Sequence, residues 1–337
     1  MIRKSLKTVD RDFIYEMMSG YRASCVLGAG AELEVFTHLS RKRQSSRDLA
    51  QKLACDRRSM AVLLDALGAL GLLGKRGDRY FVPPSIGALL SGESSGNILP
   101  AIWHSTNCLR AWAHLGQVVK LGKPARQEAS VRGLQSDRAA FISAMHAISG
   151  PIADSVVNSL GPIKFSHLLD VGGASGTWTF AFMKAFRGTR ATLFDLSDAV
   201  GQARVRIRQS PYADRVRLVT GDFYCDRLPG GADLAWVSAI IHQHSRSDNR
   251  RLFAKIFSAL RPGGQIAIRD IIMEDRRISP VAGALFAVNM LVNTESGGTF
   301  TFKEIAADLK AAGFVRPKLL VKANDMNSVV TARKLGT

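Results

Sequence analysis

The chain has 337 residues, of which 46% are hydrophobic and 22% are charged, a composition typical of a globular protein with room for two domains and unlike that of a disordered chain. Its 46 Lys and Arg residues outnumber its 28 Asp and Glu residues, but they are scattered, which is typical of a solvated basic surface and leaves an acidic partner or substrate open. The four cysteines lie far apart without a Cys-x-x-Cys pair, which indicates a reducing compartment and no metal site.

The N-terminal residues contain no apolar segment of the kind that directs secretion, and no run of about 18 uncharged apolar residues occurs in the chain. We therefore expect a cytoplasmic protein that does not associate with a membrane.

Residues 1–95 show the pattern of a winged helix. Short helices are predicted at 48–53 and 57–70, and residues 75–79 (KRGDR) form a hairpin tip between two short apolar strands. The second helix is apolar on nearly all sides, whereas a helix that reads DNA bases needs several polar side chains. We therefore expect this helix to be buried against another subunit or domain, and a DNA-binding regulator stays as an alternative.

Residues 96–155 are predicted to form connecting helices with aromatic and histidine side chains at helical spacing. Trp103 and His146 belong to this segment, and they fit either the core or the roof of a substrate pocket. The residues that we expect to line such a pocket are Trp103, Met145, His146, Phe286, Asn289, Met290 and Asn293.

Residues 156–337 alternate between strand and helix patterns, which predicts an α/β domain with a parallel sheet covered on both faces. The last two predicted strands are joined by the short polar turn 323–325, which is too short for a crossover helix, so they must pair antiparallel. The predicted strands are 167–171, 191–195, 216–220, 233–238, 265–270, 315–322 and 326–333.

A glycine-rich turn follows the first of these strands. Gly172, Gly173 and Gly176 lack the G-x-G-x-x-G spacing of a dinucleotide site. Asp170 before the turn would repel a pyrophosphate and attract a cation, and Asp195 at the next strand end suits the two hydroxyls of a ribose. Because S-adenosylmethionine carries a positive amine and sulfonium together with a ribose, it fits this pattern best.

Further polar and aromatic residues follow the later strands, and ligands bind at this carboxyl edge of open α/β sheets. Asp222 could accept from an adenine amino group while Phe223 packs on the ring. The complete set that we expect to bind the cofactor is Asp170, Gly172, Gly173, Gly176, Asp195, Leu196, Asp222, Phe223 and Ser238.

His242, after the fourth strand, is the candidate general base. A neutral phenol with a pKa of about 10 is a poor nucleophile at pH 7, and a histidine that takes its proton can accelerate the reaction by roughly 10²- to 10⁴-fold. Asp270 could orient the imidazole. The alternative is a structural histidine at a strand end, and the role of His244 stays open.

The segment HLLDVGGASG resembles the first motif of class I S-adenosylmethionine-dependent methyltransferases. Together with AELEVFTHL, LLDALGALGLLG, FDLSDAV, GDFY and LRPGGQIAIRD, it makes residues 20–335 similar to small-molecule O-methyltransferases with an N-terminal winged-helix dimerisation domain, which include plant caffeate-type and bacterial secondary-metabolite enzymes. The resemblance implies cofactor contacts at Gly172, Asp195, Asp222 and Phe223. It also implies a catalytic role for His242.

The chain departs from the family pattern around this histidine. The usual His-Asp-Trp is His242-Gln243-His244, Ser238 replaces a frequent lysine, and Asp270 stands where a glutamate is usual. Where the family has the glutamate of a Gly-Gly-x-Glu segment, this chain has Phe300, and the nearby Glu295 could replace that glutamate. Ala174 stands in place of the middle glycine of the first motif.

These features predict an α/β protein with a Rossmann-like seven-stranded methyltransferase sheet (156–337), connecting helices (96–155) and a winged-helix dimerisation domain (1–95). We expect a homodimer that uses S-adenosylmethionine, without a metal, to methylate a hydroxyl of a small aromatic or polyketide-like acceptor. Methylation of carbon or nitrogen, or another reaction at the same cofactor site, is the second hypothesis. A cofactor-sensing DNA-binding regulator is the third, although we expect no nucleic acid partner.

Overall fold

The computed structural model describes residues 9–336. The chain forms two compact units, which are described separately: residues 9–109 with 128–147, and residues 110–127 with 148–336. The domain boundaries expected from the sequence, at 95 and 155, remain a prediction.

The described helices are α1 (Arg11–Ser19), α2 (Tyr21–Glu32), α3 (Val35–Arg41), α4 (Ser46–Lys52), α5 (Arg57–Ala69), α6 (Pro84–Leu90), α7 (Leu99–Trp112), α8 (Leu115–Leu121), α9 (Leu134–Ser159), α10 (Thr177–Ala185), α11 (Ser197–Arg208), α12 (Arg246–Ala259), α13 (Val281–Asn293) and α14 (Phe302–Ala311). The described strands are β1 (Gln44–Ser45), β2 (Gly74–Arg76), β3 (Arg79–Phe81), β4 (His167–Val171), β5 (Arg190–Asp195), β6 (Val216–Thr220), β7 (Ala232–Ser238), β8 (Leu260–Asp270), β9 (Ile272–Met273), β10 (Phe300–Thr301), β11 (Val315–Val321) and β12 (Ser328–Arg333). Short 3-10 turns lie at Ala213–Arg215 and Ile241–Gln243.

A seven-stranded sheet organises the second unit, in the order β11-β12-β8-β7-β4-β5-β6. The strands β8, β7, β4, β5 and β6 run parallel, whereas β12 is antiparallel to both of its neighbours. The predicted seven-stranded sheet is therefore confirmed, including its antiparallel last pair.

Both faces of this sheet are buried, because successive residues of the central strands pack into different cores. Leu168 and Trp236 belong to one hydrophobic cluster, while Leu169 and Ala235 belong to another. A strand that is covered on both faces is apolar along its whole length, which explains the continuous apolar runs in the sequence. The same arrangement places the carboxyl ends of β4, β5, β7 and β8 at one edge of the sheet.

The first unit contains the expected winged-helix elements. The hairpin of β2 and β3 pairs with β1 in a small antiparallel sheet. Helix α5 buries Met60, Leu64 and Leu67 in the core of this unit, but Val62 is 61% exposed. The chain by itself therefore does not cover all of the apolar surface of α5.

One helix of the described chain, α9, is long and apolar enough to cross a membrane by length and composition alone. It also contains Asp137, Arg138, Asp154 and a proline, Pro151. A single such helix is weak evidence for a membrane span, since core helices of globular proteins pass the same test.

Candidate active site

The backbone of the glycine-rich turn after β4 leaves no room for side chains at Gly172 and Gly173. Gly172 has a φ of +71°, and a Cβ there would lie 2.6 Å from Cδ1 of Ile240. A Cβ on Gly173 would lie 2.6 Å from Leu193 and 3.0 Å from the carboxyl group of Asp170. Gly176, with a φ of +84°, then caps α10. The turn therefore brings its backbone against β5 and against the carboxylate of Asp170, as close approach to a ligand requires.

Asp170 is a buried carboxyl group with one unpaired oxygen. Its side chain is 1% exposed, and Oδ2 accepts a hydrogen bond from the Thr179 hydroxyl at 2.6 Å. Oδ1 is buried without a hydrogen-bond partner. Burial raises the pKa of Asp170 to about 7; the hydrogen bonds from Thr179 oppose this shift, and the charge of Asp195 adds to it. An unpaired buried carboxylate oxygen is a good fit for a cationic ligand, because a positive charge would offset its desolvation.

Asp195 connects the end of β5 to the glycine-rich turn. Its carboxylate accepts from the backbone N–H of Ala174 and from that of Leu196, each at 2.7 Å. Burial raises the pKa of Asp195, although both hydrogen bonds act in the opposite direction. Each oxygen keeps a lone pair beyond these bonds, so the group can still accept from ribose hydroxyls. The Leu196 side chain is 57% exposed.

Asp222 and Phe223 lie in a turn after the edge strand β6. The carboxylate of Asp222 accepts from the Tyr224 N–H at 2.8 Å, and its carbonyl oxygen accepts from the Asp226 N–H at 2.7 Å. Phe223 is half-buried and packs against the hydrophobic cluster that contains Leu169 and Ala235. The turn therefore presents a carboxylate and an aromatic ring at the same sheet edge as Asp195.

His242 and Asp270 form a buried pair. The imidazole Nδ1 lies 3.0 Å from each carboxylate oxygen, and the two residues are 6% and 1% exposed. Asp270 also accepts from the Ile271 N–H at 2.8 Å. With Nδ1–H donating to the carboxylate, Nε2 carries the free lone pair; within residues 9–336 it makes no hydrogen bond. The pair has the geometry of a histidine that is oriented to accept a proton.

The ring of Phe286 contacts this histidine edge to face, with ring centroids 4.8 Å apart. Glu295, by contrast, is exposed and shows no hydrogen bond or ion pair to His242 in the described chain. Ser238 accepts a hydrogen bond from the buried Arg269 at 3.1 Å. Within the described chain, Asp270 is therefore the acid that contacts this histidine.

The residues expected to line an acceptor pocket fall into both units. Phe286, Asn289, Met290 and Asn293 lie on α13, where Asn289 accepts from the Trp112 indole N–H at 2.8 Å. Trp103, Met145 and His146 lie in the first unit, on α7 and α9. Trp103 donates to the Ala31 carbonyl at 3.1 Å and packs on the core of that unit. The pocket lining remains a prediction.

Several contacts at the site were not predicted from the sequence. Thr179 bonds to Asp170 across nine residues, Tyr224 OH bonds to His244, and Lys255 binds the turn after β6. The only local sequence feature that could have indicated one of these contacts is the position of Thr179, two residues beyond the start of α10 and close to the turn that follows Asp170. Within residues 9–336, no group of three or more His, Cys, Asp or Glu side chains is placed to hold a metal ion.

Comparison with known proteins gives two family matches. The model of the O-methyltransferase domain matches residues 112–315, and that of the O-methyltransferase dimerisation domain matches residues 15–87.

Individual proteins agree with these matches over nearly the whole chain. The tetracenomycin polyketide synthesis 8-O-methyl transferase TcmO of Streptomyces glaucescens is 30% identical over 89% of this chain and 90% of its own length. The 3-hydroxy-5-methyl-1-naphthoate 3-O-methyltransferase of Streptomyces sahachiroi is 26% identical over 88% of both chains. The solved structure of PigF with SAH has a similar fold, with a TM-score of 0.84 and 23% identity over 97% of this chain and 100% of that one.

The raised pKa of Asp170 predicts a specific dependence of stability on pH. Because the folded chain holds this proton more tightly than the unfolded chain, the carboxyl group destabilises the fold increasingly as the pH rises from about 4 to 7. Asp170→Asn removes this effect. The free energy of unfolding of the variant, relative to the native chain, should rise by about 3 kcal/mol between pH 5 and pH 8.

Urea unfolding at both pH values measures this difference, and Asp78→Asn, at the exposed hairpin tip, is the control that should show no such change. A difference between native chain and Asp170→Asn that is the same at pH 5 and pH 8 would contradict the raised pKa.

Proposed function

Because the chain belongs to the O-methyltransferase family, whose members are S-adenosylmethionine-dependent enzymes, we propose that it methylates a hydroxyl of a small aromatic or polyketide-like molecule with His242 as the general base. The observation that carries this proposal is the buried pair of His242 and Asp270, at the same sheet edge as the unpaired carboxylate oxygen of Asp170.

The residues at the edge fit the cofactor of the family. Asp170 would face its positive charge, Asp195 its ribose, and Asp222 with Phe223 its adenine. When bound, S-adenosylmethionine supplies a methyl group on a positively charged sulfur. The remaining residues of the proposed set, Gly172, Gly173, Gly176, Leu196 and Ser238, shape this edge through their backbone or through short side chains.

The protein's own contribution to the reaction is to remove the acceptor's proton. Asp270 fixes the imidazole so that Nε2 faces away from the carboxylate with a free lone pair. Nε2 takes the proton of the acceptor hydroxyl, and the carboxylate stabilises the imidazolium that forms. The edge-to-face contact with Phe286 limits rotation of the imidazole.

The acceptor class is supported by the relatives. The enzymes named for tetracenomycin polyketide synthesis and for 3-hydroxy-5-methyl-1-naphthoate both methylate oxygen, by their names. An aromatic hydroxyl is also the acceptor that benefits most from a histidine base, since it is far less reactive than its phenolate at pH 7. These observations favour oxygen over carbon or nitrogen as the acceptor atom.

Loss of the base should separate catalysis from cofactor binding. We expect His242→Ala to lower kcat by at least about 10²-fold and Asp270→Asn to lower it by about 10- to 10²-fold, because the amide no longer stabilises the protonated ring. The measurement uses methyl-labelled cofactor with a panel of phenols and naphthols, followed by mass spectrometry. Binding of S-adenosylhomocysteine, measured by calorimetry, should stay within about twofold of the native value in both variants. Unchanged turnover of His242→Ala would overturn the assignment of the base.

We also propose that the chain forms a homodimer through its N-terminal unit. The dimerisation model matches residues 15–87, and α1 buries none of its own residues. Three of its apolar side chains, Tyr15, Met17 and Met18, are 57–66% exposed, and exposed apolar surface of this kind is common in protein–protein interfaces.

Sedimentation should give a particle of twice the 36.6 kDa chain mass. Met17→Asp should shift the equilibrium towards monomer, because it places a charge in an apolar interface. Val205→Asp, at a site on α11 that is 60% exposed, is the matched control and should leave the dimer intact. A native chain that sediments as a monomer at all concentrations would refute the dimer.

A further inference from the structure

The turn Asp222–Asp226, here called the β6 turn, follows the edge strand of the sheet. Among the described strands, β6 pairs only with β5, so none of them supports the turn from its other side. Internal hydrogen bonds shape the β6 turn: the Asp222 N–H donates to the Asp226 carboxylate at 2.8 Å, and the Asp226 N–H donates to the Asp222 carbonyl oxygen at 2.7 Å. These bonds fix its shape but not its position relative to the rest of the unit.

Lys255, from helix α12, holds the β6 turn from outside. Its ammonium group donates to the carbonyl oxygens of Phe223 at 2.7 Å, Tyr224 at 2.6 Å and Asp226 at 3.1 Å. A lysine has three N–H donors, so all of them are engaged by one turn. Hydrogen bonds from a charged donor are stronger than neutral ones, and a single side chain thus connects three carbonyl groups of the turn to α12.

His244 contacts the same turn from the segment that precedes α12. Its ring lies edge to face against Phe223 and Tyr224, with centroids 5.6 and 4.8 Å away, and the Tyr224 hydroxyl forms a hydrogen bond with its Nδ1. His244 is 6% exposed. Burial lowers the pKa of His244; Asp248 raises it and His242 lowers it. A buried, neutral imidazole that is already bonded to a tyrosine serves as a packing partner rather than as a second base.

We propose that Lys255 and His244 are positioning residues for the adenosine end of the cofactor: they hold Asp222 and Phe223 where the ligand needs them. This inference rests on the proposed function. The inference also connects the adenosine end of the site to the proposed base. His244 lies just before α12 and Lys255 lies within it, two and thirteen residues after His242. Within the described chain, neither residue forms a hydrogen bond with His242 or Asp270, so we expect each to affect affinity for the cofactor and not the chemical step.

The expected signature is a change in KM without a change in kcat. Lys255→Met should weaken the binding of S-adenosylhomocysteine about tenfold and raise the KM for the methyl donor equally, while kcat at saturating donor stays within about twofold. His244→Phe, which keeps a ring but loses the hydrogen bond, should weaken binding by about threefold, and His244→Ala should weaken it more. Lys255→Arg keeps a charged donor and should fall between the native chain and Lys255→Met.

Calorimetry with S-adenosylhomocysteine gives the affinities without an acceptor, and Lys310→Met, an exposed lysine on α14, is the matched control with native affinity. The His244 variants test the same claim if Lys255→Met does not fold. Native affinity in Lys255→Met and His244→Ala, or a loss of kcat with unchanged KM, would overturn the positioning roles alone. If the native chain itself fails to bind S-adenosylhomocysteine, the proposed function fails instead.

Discussion

The buried carboxyl group of Asp170 imposes the main electrostatic constraint on this site. It lies at the end of β4, which has strands on both sides, so water cannot solvate it. One oxygen is bonded to Thr179 and the other is unpaired, and no Lys or Arg side chain forms an ion pair with it in the described chain. Leaving a buried carboxylate unpaired is costly, and the cost is reduced when a cation binds beside it. We therefore expect this acid to lower the stability of the fold at neutral pH, and a cationic ligand beside it would offset that loss.

The rest of the site is arranged around this charge by the parallel sheet. Adjacent parallel strands end at the same edge, so Asp170, Asp195 and Ser238 are brought together by strand pairing alone. The proposed proton acceptor lies on a separate part of the sheet edge, in the 3-10 turn after β7, where it pairs with Asp270 at the end of β8. The proposed functions of cofactor binding and proton removal therefore fall on different side chains, and for this reason variants can test them separately.

The sequence predicts much of the fold because its signals are local. The apolar runs predict β4 and β6 with the observed bounds, and the short turn before β12 forces the antiparallel edge pair. The acids at strand ends were also predicted, since the strand pattern fixes which residue comes last. The pairing of His242 with Asp270 was suggested by position and is confirmed as a contact.

Contacts between side chains far apart in the chain were not predictable in this way. Lys255 reaches the β6 turn across about thirty residues, and nothing in the local pattern of α12 distinguishes it from a surface lysine. Tyr224 and His244 meet because two loops converge, which no periodicity reports. Glu295 differs from these residues. Its place in the sequence suggested that it could orient His242, but its side chain is exposed and forms no hydrogen bond with His242 in the described chain.

The most direct test of the role of Asp170 is the number of protons released when S-adenosylmethionine binds at pH 6. Calorimetry in buffers with different ionisation enthalpies gives that number. At this pH a carboxyl group with a pKa of about 7 is mostly protonated, so a cation that binds against its ionised form must release close to one proton per site. The native chain should show this release, and Asp170→Asn should abolish it. Binding without proton release in the native chain would contradict the account.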